Sequence, residues 1–191
     1  MVKKIGILGG TFDPPHIGHL MIAEQVRVSC KLDEVWFMPN QTPPHKRYDE
    51  VISNEHRVEM VKRSIENNPY FHLSLIECER KDVSYTYDTM KILTSNYPNV
   101  AFYFIIGGDM VEYLPKWYRI DDLLNIVTFI GAKRPGYKMN TRYKNRVIEV
   151  EVAQVDISSS LIRQYVKEKK SIRYLVTEKV REYIEEMGLY G

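Results

Sequence analysis

The residues of this chain best suited to chemistry are two histidines three positions apart. His16 and His19 close the run Gly9-Gly10-Thr11-Phe12-Asp13-Pro14-Pro15-His16-Ile17-Gly18-His19. Apolar residues 5–8 predict a short buried strand before the run, and apolar spacing after it predicts a helix. Residues at i and i+3 share one helical face, glycines let the chain approach a ligand, and helix N-termini attract anions. The run therefore predicts a strand, a glycine turn and a helix that together bind phosphates.

This run fits neither the Walker loop nor the dinucleotide fingerprint. It resembles the signature of the nucleotidyltransferase superfamily with a His-x-Gly-His core, in which the loop and both histidines hold a nucleotide triphosphate. The resemblance implies ATP contacts along the run, from Gly9, Gly10, Thr11, Phe12, His16 and His19. Two alternatives stay open: a transition-metal site, for which no third ligand is evident nearby, and a core role for one histidine.

A second run, Ile157-Ser158-Ser159-Ser160-Leu161-Ile162-Arg163, opens a predicted helix. Its hydroxyls and free N–H groups suit phosphate, although serines at helix starts are usually caps. The run resembles the second signature of the same superfamily, which implies ATP contacts from Ile157, Ser158, Ser159 and Arg163. The pair of runs then implies catalytic charge stabilisation by His16, His19 and Arg163.

The chemistry implied is attack by a phosphate oxygen on the α-phosphorus of a nucleoside triphosphate, with pyrophosphate leaving. A phosphate monoester is already anionic, so alignment and charge stabilisation suffice without a general base. We expect Mg²⁺ to be held mainly by the phosphates themselves, with no protein metal site.

Bulk properties narrow the class of protein. The 191 residues suffice for one domain with a sizeable core, and a formal net charge of +2 gives no argument for nucleic-acid binding. Cys30 and Cys78 lack metal-ligand spacing, which favours two buried free thiols in a reducing compartment. We expect a cytoplasmic chain without a signal peptide or a membrane span.

Apolar runs predict strands over 4–8, 34–38, 71–76, 101–106, 126–130 and 147–152. Helical patterns lie between most of them, which predicts an α/β fold: a Rossmann-like, doubly wound parallel sheet. Two further helices, at 158–167 and 177–187, predict a small C-terminal helical cap against the sheet. We predict one nucleotidyltransferase domain over 1–191, with a Rossmann-like core over 1–155 and the helical part over 156–191.

Ligands of open α/β sheets bind beyond the carboxyl ends of the strands, where the strand order reverses. The superfamily resemblance implies the order 3-2-1-4-5, so strands 1 and 4 flank that point. The histidine run follows strand 1, and Gly107-Gly108-Asp109 follows strand 4. Both turns are therefore expected to face one crevice.

Several further segments are similar to those of bacterial nicotinate-nucleotide adenylyltransferases. They are 39–46, 84–89, 107–109, 116–118, 133–136 and the tail 174–184. The resemblance implies ATP contacts from Gly107, Asp109 and Arg134. It also implies contacts to nicotinate mononucleotide from Asn40, His45, Lys46, Tyr85, Thr86, Trp117 and Tyr118.

The chemistry of these residues suits the implied contacts, although each also has a structural alternative. Trp117 follows a polar stretch, is poorly placed for a core, and can stack on a nicotinate ring; a staple for the adjacent helix is the alternative. Thr86 opens a predicted helix, whose N–H groups suit the nicotinate carboxylate and favour the acid over the amide. For Asp109 the alternative is an N-cap. For Arg134, His45 and Lys46 it is an ordinary surface position.

Three alternatives of function remain at this stage: a pantetheine-phosphate adenylyltransferase, a glycerol-phosphate cytidylyltransferase, and a sensor that binds a nucleotide without turnover. The first two share phosphate motifs but differ in length or in the intervening segments. How strictly the site selects the nicotinate over the nicotinamide nucleotide stays open. The oligomeric state also stays open, since no apolar repeat marks an interface.

Overall fold

A computed structural model describes residues 2–41, 52–80, 85–134, 136, 142–153 and 155–191. The strands are β1 (Lys3–Gly10), β2 (Glu34–Pro39), β3 (Phe71–Leu73), β4 (Val100–Gly107), β5 (Thr128–Lys133) and β6 (Val147–Glu151). The helices are α1 (Ile17–Ser29), α2 (Asn54–Ile65), α3 (Thr86–Asn96), α4 (Gly108–Val111), α5 (Ile120–Ile126), α6 (Ser159–Lys167) and α7 (Glu178–Glu186). Short 3₁₀ turns cover Leu114–Lys116 and Lys144–Arg146.

The six strands form one parallel sheet in the order β3-β2-β1-β4-β5-β6. The predicted order is confirmed, with β6 added beyond β5. The order reverses between β1 and β4, so the carboxyl ends of these two neighbouring strands form the expected crevice.

Alternating strand residues separate the two faces of the sheet. Phe104 and Ile106 of β4 join the cluster that α3 and α5 cover, whereas Ile105 joins the cluster under α1 and α2. A strand points successive side chains to opposite faces, so an apolar strand covered on both sides needs no polar face. This arrangement confirms the doubly wound sheet.

The two C-terminal helices pack differently from the prediction. Their apolar side chains form a third cluster with Met60 of α2, and α7 lies against α2 rather than directly on the sheet. Gly188, with a φ of +60°, follows α7 and allows the chain to leave the helix. The helical part therefore extends the α2 face toward the histidine loop.

Two strand predictions were wrong in their bounds. Residues 126–130 were expected as a strand, but Ile126 ends α5 and Val127 caps it, so β5 starts at Thr128. An apolar run shared between a short helix and a strand has no periodicity that separates them. Similarly, β3 covers only Phe71–Leu73 of the predicted 71–76.

Candidate active site

A cleft of about 390 Å³ lies at the carboxyl ends of β1 and β4. Its lining includes four residues predicted to contact ATP, which are Gly9, Gly10, His19 and Gly107. It also includes three residues predicted to contact nicotinate mononucleotide, which are Asn40, Thr86 and Trp117. The structure thus brings the start of the histidine loop, the end of β2 and the start of α3 to one space. These segments are distant in sequence, and the parallel topology is what joins them.

The turn after β1 begins two residues later than predicted. Gly9 and Gly10 are the last residues of β1, opposite Met38 and Pro39 of β2. A Cβ on Gly10 would lie 3.1 Å from the ring of Phe12, so any larger residue here would have to displace this ring slightly. Phe12 itself has a φ of +50° and is buried. The loop is therefore a strained, tightly packed turn whose conformation the surrounding residues enforce.

The two histidines stack on each other at the start of α1. Their ring centroids are 3.6 Å apart, and the edge of Phe12 meets His19 at 5.0 Å. The backbone N–H of His16 donates to His19 Nδ1 at 3.1 Å. Because Nδ1 accepts, the proton of a neutral His19 lies on Nε2. The geometry thus leaves Nε2–H of His19 as the donor for a ligand in the cleft.

Burial holds both imidazoles neutral. It lowers the pKa of His16 to about 4, and burial together with the neighbouring His16 lowers the pKa of His19 to about 3. Two stacked rings disfavour a shared positive charge, so the pair offers hydrogen bonds rather than fixed cations in the absence of an anion.

The N-terminus of α1 is less open to an anion than predicted. The N–H of Ile17 donates to the carbonyl of Leu175 at 2.9 Å, so the C-terminal segment occupies one first-turn donor. A Cβ on Gly18 would lie 3.1 Å from the His16 ring, so glycine is what lets this ring lie flat on the helix start. Side chains therefore carry more of the donor capacity of this loop than its backbone does.

The second run contacts the histidine loop directly. Ser158 caps α6 by accepting from the N–H of Leu161, and Ser159 Oγ donates to the carbonyl of Pro14 at 2.8 Å. Arg163 Nη1 donates to the carbonyl of Asp13 at 2.7 Å and lies 3.7 Å from its carboxylate.

The two serines are thus occupied by capping and docking, whereas the sequence had predicted all three hydroxyls to face phosphate. Arg163 Nη2 also donates to Ser160 Oγ. Ile157 packs in the C-terminal apolar cluster. The two signature runs meet, and α6 supports the loop from the side of Asp13 and Pro14.

The predicted nicotinate residues divide into three groups. Asn40 and Thr86 line the cleft, and Thr86 opens α3, whose first N–H groups have no partner within the helix. Tyr85 and Tyr118 are exposed and pack on each other, with ring centroids 4.5 Å apart. His45 and Lys46 lie outside the described residues.

Trp117 lines the cleft, as predicted, but it also packs against the core, which the sequence did not indicate. Its ring meets Phe104 at 5.9 Å and Phe129 at 5.8 Å, both edge to face. The short 3₁₀ turn before it bends the chain so that an indole in a polar stretch reaches two core rings. This packing fixes the indole at the edge of the cleft.

The remaining predicted ATP residues lie near β4 and β5. Asp109 is the second residue of α4, and Gly107 holds the cap position, so the N-cap alternative for Asp109 is wrong. Arg134 is exposed directly after β5. A Cβ on Gly108 would lie 3.1 Å from Lys133, which explains the glycine between the strand end and α4.

Some residues of the site carried no recognisable signal in the sequence. Glu77 lines the cleft, is almost fully buried, and accepts from Thr89 Oγ1 at 2.9 Å; burial raises the pKa of its carboxyl. In the sequence it stands beside Glu79 and Arg80, which is typical of a surface loop. Arg57 and Tyr190 were missed for the same reason, because only long-range contacts reveal their roles.

Among the described residues, no third His, Cys, Asp or Glu joins His16 and His19 in a cluster suited to a metal ion. Nor does any helix in the described part of the chain have the length and apolar character needed to cross a membrane. Both cysteines are half-buried free thiols.

The fold and the cleft define a class of nucleotide-transferring proteins. A family model described as cytidylyltransferase-like matches residues 7–165. Solved structures of Plasmodium falciparum nicotinic acid mononucleotide adenylyltransferase superpose with TM-scores of 0.82 and 0.83 at 23% identity, covering 98% of this chain and 97% of theirs. At that identity the likeness establishes the fold.

Curated relatives narrow the class further. A nicotinate-nucleotide adenylyltransferase of Bacillus subtilis is 52% identical over 189 residues, covering 99% of both chains. A probable nicotinate-nucleotide adenylyltransferase of Bacillus cytotoxicus is 57% identical with the same coverage. The chain therefore belongs to the nicotinate-nucleotide adenylyltransferase family.

Proposed function

We propose that this enzyme transfers the adenylyl group of ATP to nicotinate mononucleotide, giving nicotinate adenine dinucleotide and pyrophosphate. The observation that carries the proposal is the single cleft in which His19, Gly9 and Gly10 face Asn40, Thr86 and Trp117. Phosphate-binding and ring-binding chemistry share one space, as a reaction that joins two nucleotides requires.

In the reaction, a phosphate oxygen of nicotinate mononucleotide forms a bond to the α-phosphorus of ATP. The bond from that phosphorus to the bridging oxygen of the β-phosphate breaks, and pyrophosphate departs with the electron pair. The attacking monoester carries about −1.5 to −2 charges at neutral pH, so no residue has to remove a proton first. The protein's task is to align the two phosphates and to stabilise the developing charge.

We assign the first donor role to His19, whose Nδ1 is occupied and whose Nε2–H is available for a phosphate oxygen. The stacked ring of His16 lies beside it and shares the loop. Arg163 donates to the carbonyl of Asp13 in this structure, and we assign its remaining donors to the triphosphate. Gly9 and Gly10 line the cleft, and we propose that Thr11, Phe12, Ile157, Ser158 and Ser159 complete the ATP site. Gly107, Asp109 and Arg134 would contact the adenosine side.

Recognition of the acid rests on charge. The start of α3 at Thr86 presents unpaired N–H groups and the positive end of a helix dipole, both of which favour a carboxylate over a neutral amide. Asn40 adds an amide donor, and Trp117 adds a flat apolar surface for the ring. Tyr85 and Tyr118 form an exposed aromatic pair, which we place at the rim of this subsite.

We propose that Mg²⁺ enters with ATP and is held by phosphate oxygens, because the described residues around the histidines supply no carboxylate set of their own. When bound, the ion neutralises charge on the phosphates. The partners are the two small substrates, and a reducing cytoplasm agrees with two free thiols.

The test is pyrophosphate release with ATP and Mg²⁺, run in parallel with nicotinate mononucleotide, nicotinamide mononucleotide and phosphopantetheine. Release with the nicotinate substrate alone is the expected result. Equal rates with the amide would contradict the charge argument at Thr86. Release with phosphopantetheine alone would assign the enzyme to a different substrate. ATP binding without any release would indicate a sensor.

A further inference from the structure

Arg57 is a charged side chain buried beneath the cleft and used by no step of the reaction above. It lies in the first turn of α2 and is 1% exposed. Taking a guanidinium out of water is costly unless its donors are satisfied, and burial lowers the pKa of Arg57. A buried cation at this position therefore needs an explanation other than core packing.

Its contacts are neutral oxygens on both substrate loops. Nη1 donates to the carbonyl of Thr11 at 2.7 Å and to Asn40 Oδ1 at 3.3 Å. Nη2 donates to the carbonyls of Asn40 at 2.6 Å and Gln41 at 2.8 Å. It also donates to Asn54 Oδ1 at the start of α2.

Four of these five oxygens belong to the segments that follow β1 and β2, at the ends of which the cleft lies. Thr11 is the first residue after β1 and precedes Phe12, whose positive φ must be enforced by its surroundings. Asn40 is the first residue after β2, lines the cleft, and donates its N–H to the carbonyl of Gly10. The guanidinium thus connects the turn that precedes the histidines with the residue assigned to nicotinate.

The two amino groups of the guanidinium reach all of these acceptors, whereas its buried Nε has no hydrogen-bond partner among the described residues. Its planar fork presents five N–H donors in fixed directions, whereas lysine has a single ammonium on a flexible stem. Two strand ends that must hold two substrates in line need a rigid connection, because a misplacement of about 1 Å far from the chemistry can cost about 10²-fold in rate.

We infer that Arg57 is a positioning residue. It holds the turn after β1, assigned to ATP, and the segment after β2, assigned to nicotinate mononucleotide, in a fixed relative position without contacting either substrate. This inference rests on the proposed adenylyl transfer. It goes beyond that function because neither signature run contains Arg57.

The test compares Arg57→Lys with Arg63→Lys, a matched change on the same helix. Arg63 pairs with Glu59 and Glu186 at the surface, and within the described part of the chain it has no hydrogen bond to either substrate loop. For folded Arg57→Lys enzyme, we expect a fall in kcat/KM on the order of 10²-fold, with a lower kcat and a higher KM for nicotinate mononucleotide. Arg63→Lys should match the wild type in both constants.

A purely structural role gives a different result: a lower Tm, but unchanged kcat and KM for the folded fraction, and this would overturn the inference. If Arg57→Lys does not fold, Asn54→Ala decides, because Asn54 anchors the guanidinium from α2. It should lower kcat/KM to a smaller extent, and unchanged kinetics would contradict the inference.

The double variant Asn54→Ala/Arg57→Lys should be no slower than Arg57→Lys alone, since both changes act through one side chain. Additive losses would overturn the inference. Wild-type enzyme that forms no dinucleotide would contradict the proposed function, whereas wild-type turnover with unaffected Arg57→Lys would contradict only the inference.

Discussion

At the scale of single residues, the site depends on two imidazoles that burial keeps uncharged. His19 accepts at Nδ1 from the backbone of His16, so its ring orientation and its tautomer are set before a ligand arrives. A donor that is fixed in this way needs no reorganisation when charge develops on a phosphate. The neutral ring is thus a preorganised hydrogen-bond donor rather than a positive charge.

Replacing His19 by alanine should remove that donor and leave the fold in place. We expect kcat to fall by on the order of 10²–10³-fold, with circular dichroism and Tm close to those of the wild type. His72→Ala is the control, because His72 lies on β3 near Glu34 and away from the cleft. Near-normal turnover of His19→Ala would remove His19 from the reaction.

The same burial predicts a pH dependence of stability. The pKa values of His16 and His19 fall from 6.5 to about 4 and about 3 on folding, so the unfolded chain binds more protons between these limits. The stabilisation is complete above pH 6.5 and is lost as the pH falls toward 4, with at most about 1.4 kcal/mol per pH unit from each group.

Urea unfolding between pH of about 7 and about 5 measures this slope. A double variant, His16→Asn with His19→Asn, should flatten it. The comparison with the wild type is needed because Glu77, whose pKa is raised by burial, contributes with the opposite sign. Equal slopes in the two proteins would show that the histidines titrate normally.

At the scale of elements, α6 is a support for the histidine loop. Ser159 Oγ and Arg163 of α6 donate to the carbonyls of Pro14 and Asp13, which lie three and four residues before α1. Serine runs at helix starts suggest caps or phosphate contacts, and here Ser158 caps while Ser159 docks one element on another. A single residue type therefore performs two structural tasks within one turn.

Ser159→Ala should weaken this docking. The loss of one partly buried hydrogen bond costs about 1 kcal/mol in the free energy of unfolding, or about 2–4 °C in Tm for a chain of this size. Ser95→Ala is the control, since Ser95 is exposed and its hydroxyl donates to the carbonyl of Lys91 within α3. Thermal unfolding of both variants measures the difference. An unchanged Tm for Ser159→Ala would mean that the contact with Pro14 contributes nothing to stability.

Elements with clear periodicity were predicted from the sequence, and those that depend on distant contacts were not. The helix predicted after the histidine run is present as α1, because its apolar spacing is regular. The strand order came from the family resemblance. The start of β5 was predicted too early because Ile126 belongs to α5. The role of Arg57 could not be predicted because Thr11, one of its partners, is 46 residues away in sequence. The predicted roles of the site residues remain predictions, whereas their grouping in one cleft is observed for those that line it.

At the scale of the whole molecule, the C-terminal segment returns to the loop where the site begins. Tyr190 donates its hydroxyl to Asp13 Oδ1 at 2.7 Å across 177 residues of sequence, and Leu175 accepts from Ile17 at the start of α1. Asp13 is 1% exposed and its carbonyl accepts from Arg163. The apolar cluster of α6, α7 and α2 therefore stabilises the site as well as the fold.

Tyr190→Phe isolates this long-range contact. The variant keeps the ring but removes a donor from a buried carboxylate, which costs about 1–3 kcal/mol. Tyr174→Phe is the matched control, because Tyr174 is 82% exposed.

The contribution of Tyr190 to stability depends on pH. Burial and the nearby Asp13 raise the pKa of Tyr190, so this contribution is fully present below pH 10 and is lost as the pH rises above that value. Thermal unfolding should thus separate Tyr190→Phe from the wild type at neutral pH and bring the two together in alkali. The carbonyl of Asp13 also accepts a hydrogen bond from Arg163. A displaced Asp13 would therefore disturb Arg163, so kcat/KM should fall in Tyr190→Phe and stay unchanged in Tyr174→Phe. A loss of stability with full activity would show that the C-terminal segment supports the fold but leaves the phosphate loop unaffected.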